Sequence, residues 1–589
     1  MLEIIGKVAK VIGPVVHARE IDKAKMLDLV EVGDDHLVGE IVKLEGSHAA
    51  IQVYEDTTGL APGANIYSAG VPLSVELGPG LLGTIYDGIQ RPLEVIKDQS
   101  DQYIQKGIHV SPLDRQHKWD FTPVIANEAE VAGGEIVGTV QETGLIEHRV
   151  LVPPGVNGRV EWIAGKGSYT IDETVAKVKG AHNEIAEVKM LQRWPVRTAR
   201  PVKNRLPLSL PLITGQRVVD TLFPVAKGGT VVVPGGFGTG KTMIQHALSK
   251  WSDADIIVYI GCGERGNEMT DVLISFPELI DPRSHRPIME RTVLIANTSN
   301  MPVAAREASI YTGITIAEYY RDQGYHVAIM ADSTSRWAEA LRELSGRMEE
   351  MPADEGFPAY LPTRLAQFYE RGGMADTFSG SEGSISIVGS VSPPGGDFSE
   401  PVTQHTKRFV RCLWALDRQL ANARHYPAIS WLDSYSEYVG EISDWWQERS
   451  GGEWVELRQR IMNLLQQEGK LLQVVKLVGP DVLPDTQRIV LETCTMFKNA
   501  FLQQNSYDAI DMYCTPEKQI KMLRVIIDFY DLGLANIKKG ANIHQIKKME
   551  VTSDIMRMKF SVKNDEIEKI DEIRDKLSRS MERIGDMFD

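Results

Sequence analysis

The segment GGFGTGKT, residues 235–242, decides how the centre of this sequence folds. It fits the pattern G-x-x-x-x-G-K-[ST], a loop whose backbone N–H groups surround phosphate oxygens. The run before it, GGTVVVP (228–234), predicts a strand, and the run after it, TMIQHALSKW (242–251), predicts a helix. The helix N-terminus would face the phosphates. This context distinguishes a phosphate-binding loop from a chance match among 51 glycines.

The residue types in the loop suit a nucleoside triphosphate. Glycines allow sharp turns and a close approach of backbone to phosphate. Lys241 is placed to neutralise the β and γ phosphates, and the Thr242 hydroxyl is placed to ligate Mg²⁺. We therefore predict that the nucleotide contacts the whole loop, which consists of Gly235, Gly236, Phe237, Gly238, Thr239, Gly240, Lys241 and Thr242.

The composition excludes several classes of protein. The length of 589 residues suffices for about three or four domains, and the hydrophobic content of 43% suffices for ordinary cores and excludes a disordered chain. A net charge of −16 disfavours nucleic-acid binding. Four cysteines without a C-x-x-C pair argue against zinc and disulfides. Because no run reaches the ~18 apolar residues that span a bilayer and no signal peptide is recognisable, we expect a cytoplasmic chain.

The sequence pattern changes along the chain and predicts a multidomain α/β protein. Short alternating segments typical of strands come first, and strands that alternate with helices follow in the centre. Apolar residues at helical spacing dominate the end. The predicted parts are an N-terminal β-barrel (1–70), an inserted β-sandwich-like domain (111–190), a central RecA-like P-loop α/β nucleotide-binding domain (71–110 and 191–435) and a C-terminal α-helical domain (436–589).

The insertion resembles the flattened β-sandwich of biotin and lipoyl carriers. Such a carrier needs an exposed lysine at the tip of a hairpin. The expected tip here, ETGLIEH (142–148), contains no lysine. We therefore interpret the insertion as structural and not as a swinging arm.

Two carboxylates are candidates for hydrolysis of the nucleotide. The run HVAIMADS (326–333) predicts a strand that ends in Asp332, where a second Mg²⁺ carboxylate is expected, although an Asp that caps the next helix is an alternative. In IIVYIGCGERGNEMTD (256–271) the predicted strand ends at the glycines, and Glu264 and Arg265 follow. A base and a cation would then lie at the same sheet edge.

Several long motifs resemble one family. They are GQRVVDTLFPVAKGG (215–229), GGFGTGKT, GCGERGNEMTDVL (261–273), the run from NTSNMPVAAREAS to RWAEALREL (297–344) and MPADEGFPAYL (351–361). In this order they resemble the catalytic A subunit of vacuolar-type and archaeal-type rotary ATPases, in a bacterial or archaeal member. The insertion distinguishes such A subunits from the otherwise similar catalytic β subunits of F-type enzymes.

The resemblance implies a role for each candidate. Lys241 and Thr242 would hold phosphate and Mg²⁺, with ATP or ADP as substrate or product. Glu264 would polarise the attacking water, and Arg265 would contact the γ-phosphate. Asp332 would support Mg²⁺ through water, and Arg336 would lie near the site.

The resemblance also implies two aromatic contacts to adenine. Tyr426 lies in HYPAISWLDSYS (425–436), and Tyr507 lies in FLQQNSYD (501–508). Stacking on a base face contributes ~1–3 kcal/mol. For both tyrosines, core packing with a hydrogen-bonded hydroxyl is the alternative.

Three features depart from related proteins. Ser430 stands where the family signature usually has Asp or Asn, and Thr239 stands where the eukaryotic members carry a loop cysteine. The stretch SISIVGSVSPPGGDFSEPV (384–402) has no arginine, whereas non-catalytic partner subunits place one there that faces the neighbouring site.

The implied function is ATP hydrolysis or synthesis coupled to transport of H⁺ or Na⁺. The implied assembly is an A₃B₃ hexamer in which the B subunit supplies an arginine finger, with central-shaft and peripheral-stalk subunits. The head would be peripheral, on the cytoplasmic face of a membrane, and would contact the membrane only through the ion-translocating sector. The alternatives are a non-catalytic nucleotide-binding protein with a structural role and a related hexameric secretion ATPase or helicase.

Overall fold

A computed structural model describes residues 3–21, 23–100, 106–281, 284–479 and 482–588. The chain divides into two compact units. The first contains residues 1–207, 227–232 and 254–410, and the second contains residues 208–226, 233–253 and 411–589. The predicted fold class is confirmed, with a closed barrel, a β-rich insertion, a largely parallel sheet and a helical C-terminal part. The predicted domain boundaries stay predictions.

The first unit begins with a closed six-stranded barrel of order β1-β2-β5-β4-β3-β6. Alternate residues point inward, as in β3, where buried and half-buried positions alternate. The barrel interior is aliphatic and includes Val8, Val16, Val30 and Ile51. The strands are β1 (Glu3–Ile12), β2 (Val15–Arg19), β3 (Asp28–Val32), β4 (Leu37–Glu45), β5 (His48–Val53) and β6 (Asn65–Pro72).

The insertion consists of two four-stranded sheets, of order β10-β13-β15-β16 and β12-β11-β9-β14, while β7 and β17 pair separately. The chain reaches it through β7 (Ser74–Leu77), β8 (Ile85–Tyr86) and α1 (Leu93–Ser100). Its strands are β9 (Trp119–Pro123), β10 (Glu130–Val131), β11 (Ile136–Gln141), β12 (Glu147–Leu151), β13 (Gly158–Ile163), β14 (Gly167–Tyr169), β15 (Thr174–Lys179) and β16 (Ile185–Lys189), and β17 (Gln192–Pro195) and β18 (Asn204–Leu206) follow.

Two side chains that flank the hairpin tip between β11 and β12, Glu142 and His148, are buried in the first unit. Glu142 accepts a 2.9 Å hydrogen bond from the backbone N–H of Gly80 and lies 2.8 Å from Nδ1 of His148. Nε2 of His148 lies 2.9 Å from the hydroxyl of Tyr319. Because polar groups buried in this way are satisfied by fixed partners, the tip is locked in place. This agrees with the structural interpretation of the insertion.

Five parallel strands of the first unit follow the order β24-β22-β20-β21-β8. At one edge β23 pairs antiparallel with β24, and β18 pairs with β23. The remaining strands are β19 (Thr230–Pro234), of which residues 230–232 belong to this unit, β20 (Ile256–Glu264), β21 (Thr292–Thr298), β22 (His326–Asp332), β23 (Gly373–Asp376) and β24 (Glu382–Val391).

The predicted C-terminal end of β20 is wrong. The glycines of GCGE were expected to end the strand, but β20 continues through Glu264. Gly263 adopts φ +68°, and the pairing with β21 shifts between Cys262 and Glu264. The irregularity lets the ladder continue, so Glu264 pairs with Thr298 as the last residue of the strand.

Helices pack around this sheet. Helix α4 (Val303–Asp322) is almost entirely buried from Ala304 to Asp322. Because no side of it faces solvent, it lacks a polar face. The helices that follow α1 in the first unit are α3 (Gly266–Glu278), α4 (Val303–Asp322), α5 (Thr334–Arg347), α6 (Leu361–Tyr369) and α7 (Pro401–Lys407). Helix α2 belongs to the second unit.

The second unit is mainly helical. Its interior includes an ion pair between Arg217 and Asp511, 2.7 Å long and fully buried at both side chains. The elements are α2 (Lys241–Trp251), β25 (Cys412–Leu413), α8 (Arg418–Asn422), β26 (Tyr435–Ser436), α9 (Ser443–Ser450), α10 (Trp454–Val478), α11 (Asp485–Phe497), α12 (Pro516–Lys539), α13 (Ile543–Lys547), α14 (Glu550–Ser561) and α15 (Glu568–Gly585). Among the described residues of both units, no helix is long and apolar enough to cross a membrane.

Candidate functional site

The phosphate loop lies in the second unit between β19 and α2. Gly238 and Gly240 adopt φ of +77° and +91°, which only glycine adopts at little cost. Lys241 begins α2, and its Nζ donates hydrogen bonds of 2.8 and 3.0 Å to the carbonyls of Gly235 and Gly236. The ammonium is therefore held over the loop, where it would exchange carbonyl for phosphate oxygens.

Other loop residues have distinct environments. The hydroxyl of Thr239 is buried and donates a 2.8 Å hydrogen bond to the carbonyl of Gly236. A Cβ atom on Gly235 would lie 2.6 Å from that hydroxyl, so a side chain is excluded there. Phe237 is 75% exposed, and Thr242 lies in the first turn of α2. The contact of each with nucleotide stays a prediction.

A cavity of ≈ 450 Å³ adjoins the loop within the second unit. Its volume falls in the range of small-molecule sites. Tyr426 lines it and is 41% exposed, and Gly240 approaches the Tyr426 ring so closely that a Cβ there would lie 3.5 Å away. Tyr507 also lines it and is 87% exposed, which rules out the core-packing alternative for that residue. The two predicted aromatic residues thus line one cavity beside the phosphate loop.

The carboxylates lie in the first unit, at the carboxyl ends of adjacent parallel strands. Asp332 ends β22 and is buried. Its Oδ1 accepts a 2.6 Å hydrogen bond from Ser390 of β24, and its Oδ2 accepts a 3.3 Å hydrogen bond from Tyr259 of β20. Both donors fix the plane of the carboxylate. Asp332 is the last residue of its strand, and Ser333, not Asp332, is the N-cap position of α5, so the capping alternative is not supported.

Glu264 has an unusual protonation behaviour. Burial raises the pKa of its carboxyl to about 8, and the nearby charge of Asp332 and a hydrogen bond that the protonated carboxyl donates to Glu268 act in the same direction. Arg336 opposes them. A carboxyl that gains and loses a proton near neutral pH suits general acid–base chemistry.

The two predicted arginines differ in placement. Arg265 is exposed and occupies the N-cap position of α3, directly after Glu264. Arg336 packs against Gly263, because a Cβ on that glycine would lie 2.9 Å from Cβ of Arg336. Its guanidinium forms a 2.8 Å ion pair with Glu339, which raises its pKa. The roles of both arginines stay predictions.

The available oxygen ligands fit Mg²⁺ bound with a nucleotide. Among the described residues no group of three or more His, Cys, Asp or Glu side chains forms a metal cage. Mg²⁺ characteristically keeps several waters and binds one or two carboxylates together with substrate phosphates. Asp332 is a carboxylate oriented by two hydroxyl donors, and Thr242 carries a hydroxyl in the first turn of α2, so each by itself is of a kind that suits Mg²⁺. The contact of each with Mg²⁺ stays a prediction.

Several residues that shape these sites were not among the predicted site residues. Ser390 and Tyr259 contact Asp332 across neighbouring strands, and only the strand order reveals them. Glu268 follows Glu264 by four residues, a spacing that the sequence does display. Phe560 lines the cavity from α14, more than 50 residues beyond Tyr507, and no sequence signal marks it.

Family comparisons match most of the chain. The ATP synthase alpha/beta family matches with its nucleotide-binding domain at residues 215–436, its beta-barrel domain at 8–70 and its barrel-sandwich domain at 110–197. The C-terminal domain of V and A type ATP synthase matches residues 443–547. The fold and the phosphate loop thus define a nucleotide-binding protein of the ATP synthase alpha/beta class.

Individual relatives show which family within the ATP synthase alpha/beta class the chain belongs to. The A subunit of the A-type ATP synthase of Methanopyrus kandleri is 55% identical over 581 residues, 98% of each chain. The V-type ATP synthase alpha chain of Halothermothrix orenii is 54% identical over 584 residues, 99% of each chain. The chain therefore belongs to the family formed by the A subunits of A-type ATP synthases and the alpha chains of V-type ATP synthases, the catalytic subunits of V/A-type ATPases.

A solved structure agrees at the level of the fold. The assembled ATPase EscN of the enteropathogenic E. coli type III secretion system has a TM-score of 0.65 and 21% identity, and the match covers 89% of this chain and 100% of the chain in that structure. At this identity the likeness concerns the fold alone. The relatives at about 55% identity therefore favour the ATP synthase assignment over the secretion ATPase alternative.

Proposed function

We propose that this chain hydrolyses or synthesises ATP as the catalytic member of an A₃B₃ ring, coupled to transport of H⁺ or Na⁺. The single observation that carries the proposal is the placement of Glu264 and Asp332 at the carboxyl ends of the adjacent parallel strands β20 and β22, where the half-buried Glu264 carboxyl has a pKa raised to about 8. Such a group can take a proton from water and return it at physiological pH. A purely structural nucleotide site needs no such group.

In this proposal each predicted residue has one task. Lys241 exchanges its two carbonyl contacts for β- and γ-phosphate oxygens. Glu264 orients and polarises the attacking water, and Arg265 contacts the γ-phosphate. When bound, Mg²⁺ would neutralise phosphate charge, with Thr242 and, through water, Asp332 as its protein contacts. Tyr426 and Tyr507 stack on the base, and Arg336 lies near the site as a further nucleotide-binding residue.

The proposed partners follow the family. The B subunit would alternate with this chain and supply an arginine to its site, since the 384–402 stretch holds no arginine for a neighbour. Central-shaft and peripheral-stalk subunits would join the ring to a membrane sector. The ring would lie on the cytoplasmic face of the membrane.

A steady-state ATPase assay tests this proposal. The chain alone, the chain with its B partner, and the chain with B lacking the interface arginine are compared. We expect slow turnover by the chain alone, and a rise of about 10³-fold or more with intact B only, since an arginine finger contributes ~10³–10⁵ in rate. Equal turnover in all three samples would refute the alternating ring. ATP binding without turnover in any sample would favour a non-catalytic, structural role.

A further inference from the structure

One wall of the cavity beside the phosphate loop lies beyond the residues that the family domains match. Lys559 and Phe560 line it from α14, which begins at Glu550, beyond the end of the matched C-terminal domain at residue 547. Phe560 is 40% exposed, whereas Lys559 is buried. The two neighbours therefore contribute differently to the cavity.

Lys559 holds the segment that precedes Tyr507. Its Nζ donates a 2.7 Å hydrogen bond to the carbonyl of Asn499 and a 3.1 Å hydrogen bond to the carbonyl of Gln503. The Gln503 carbonyl also accepts a 3.0 Å hydrogen bond from Nη2 of Arg217. A buried ammonium is tolerated only where carbonyls or charges replace its lost water, so these contacts fix its position.

The same segment is bonded to Tyr426. The backbone N–H of Gln504 donates a 2.8 Å hydrogen bond to the carbonyl of Tyr426. The Gln504 side chain is fixed at both ends, because its Nε2 donates to Gly215 and its Oε1 accepts from the N–H of Arg217, each at 2.9 Å. The contacts of Lys559 thus extend, through two adjacent residues, to the aromatic residue beside the phosphate loop.

Phe560 supplies an apolar surface to the cavity. Met243 and Ile244 of α2 and Pro427 are further apolar lining residues, so a planar ring in the cavity would contact hydrocarbon together with the tyrosines. Aromatic side chains stack on any nucleobase because every base has a π-face. The ε-ammonium of Lys559 lies 4.7 Å from the centroid of the Phe560 ring and helps to orient it.

We propose that α14 forms part of the nucleotide-base site, with Phe560 contacting the base and Lys559 acting as a positioning residue for the 499–504 segment and Tyr426. Because the ligand is taken to be a nucleotide, this assignment rests on the proposed function. It adds to the base site one contacting residue and one positioning residue, both on α14.

The experiment separates base binding from phosphate binding. Calorimetry on the full chain measures affinity for ATP and for inorganic tripolyphosphate, which has no base. We expect Phe560→Ala to weaken ATP binding about tenfold, as loss of a stacking contact does, and to leave tripolyphosphate binding unchanged. Phe588→Ala is the matched control, since Phe588 is 39% exposed and is not among the cavity-lining residues.

Lys559→Met tests the positioning role, with Lys569→Met, an exposed lysine on α15, as control. We expect the ratio of ATP to tripolyphosphate affinity to fall about tenfold for Lys559→Met only. If Lys559→Met does not fold, the inference is tested by the ATP and tripolyphosphate affinities of Phe560→Ala alone. Unchanged ATP affinity in Phe560→Ala, or an equal loss for both ligands, overturns the inference. A wild-type chain that binds no ATP instead overturns the proposed function.

Discussion

The hydroxyl of Ser390 lies 2.6 Å from Oδ1 of Asp332 and reaches it from the neighbouring strand of the sheet. Both residues are buried, and the second carboxylate oxygen accepts a hydrogen bond from Tyr259. A carboxylate with fixed donors on both oxygens has one orientation. The proposed support of Mg²⁺ by Asp332 thus depends on residues that contact no nucleotide in the proposal.

Replacing Ser390 with Ala should raise the Mg²⁺ concentration needed for tight ATP binding by about tenfold, because loss of a residue that orients a metal-supporting carboxylate typically costs 10–100-fold in metal affinity. Titration of Mg²⁺ into the chain with a fluorescent ATP analogue measures this. Ser386→Ala is the control on the same strand, since the Ser386 hydroxyl is buried and accepts from the N–H of Gly228. An equal shift in both variants would contradict the prediction.

Replacing Glu264 with Gln should leave ATP affinity within about twofold and lower turnover by roughly 10²–10⁴-fold, the usual contribution of a general base. The amide keeps the shape of the side chain but cannot accept a proton. Turnover is measured in the reconstituted complex, and Glu278→Gln, at the exposed end of α3, is the control. Wild-type turnover in Glu264→Gln would remove Glu264 from the mechanism.

Replacing Lys241 with Ala should weaken ATP binding itself by roughly 10–100-fold, because charge-assisted hydrogen bonds contribute about 1.5–3 kcal/mol. Tripolyphosphate binding should fall equally, since the loss concerns phosphate contacts. Calorimetry with both ligands tests this, with Lys250→Ala at the far end of α2 as control. Unchanged affinity would count against the phosphate-loop assignment.

Acid should destabilise the second unit through His425. Burial lowers the pKa of its imidazole to about 4, with help from Lys559 and Lys498. Between about pH 6.5 and pH 4 the unfolded chain therefore binds a proton that the folded chain does not, and the free energy of unfolding falls as the pH falls. Urea unfolding at pH 7 and at pH 5 measures this. The free energy of unfolding should fall between these pH values by about 1–2 kcal/mol less in His425→Gln than in the wild type. Parallel pH profiles would exclude His425 as the cause.

The cavity should accept other purine nucleotides. The amide side chains of Gln216 and Gln504 donate hydrogen bonds to backbone carbonyls. Nε2 of Gln503 likewise donates a hydrogen bond to the carbonyl of Arg424, at 3.4 Å. Because these amides are engaged and most of the other lining residues are apolar or aromatic, we expect recognition to rely mainly on stacking, which is tolerant of base identity. We expect the dissociation constants of GTP and ATP to differ by about tenfold or less when both are measured by competition. A difference of several hundredfold would indicate hydrogen-bonded reading of the base.

The sequence by itself determined the local features of this protein. The glycine pattern of residues 235–242 predicts the loop, and the apolar runs on either side predict the strand and the helix. These features are predictable because backbone conformation and hydrophobic periodicity depend on residues that are close together in the chain. The strand that ends in Asp332 was predicted for the same reason. The end of β20 was misjudged, because a glycine with positive φ can continue a strand through an irregular pairing.

Only the tertiary structure decided which distant side chains meet. Ser390 contacts Asp332 because β24 lies beside β22, a choice of strand order that no local pattern specifies. Lys559 and Phe560 join Tyr426 in one cavity although more than 130 residues separate them in the chain. The pKa of Glu264 likewise depends on burial and on Asp332, which are properties of the folded chain. Contacts of this kind arise from packing, and packing is determined by the whole chain at once.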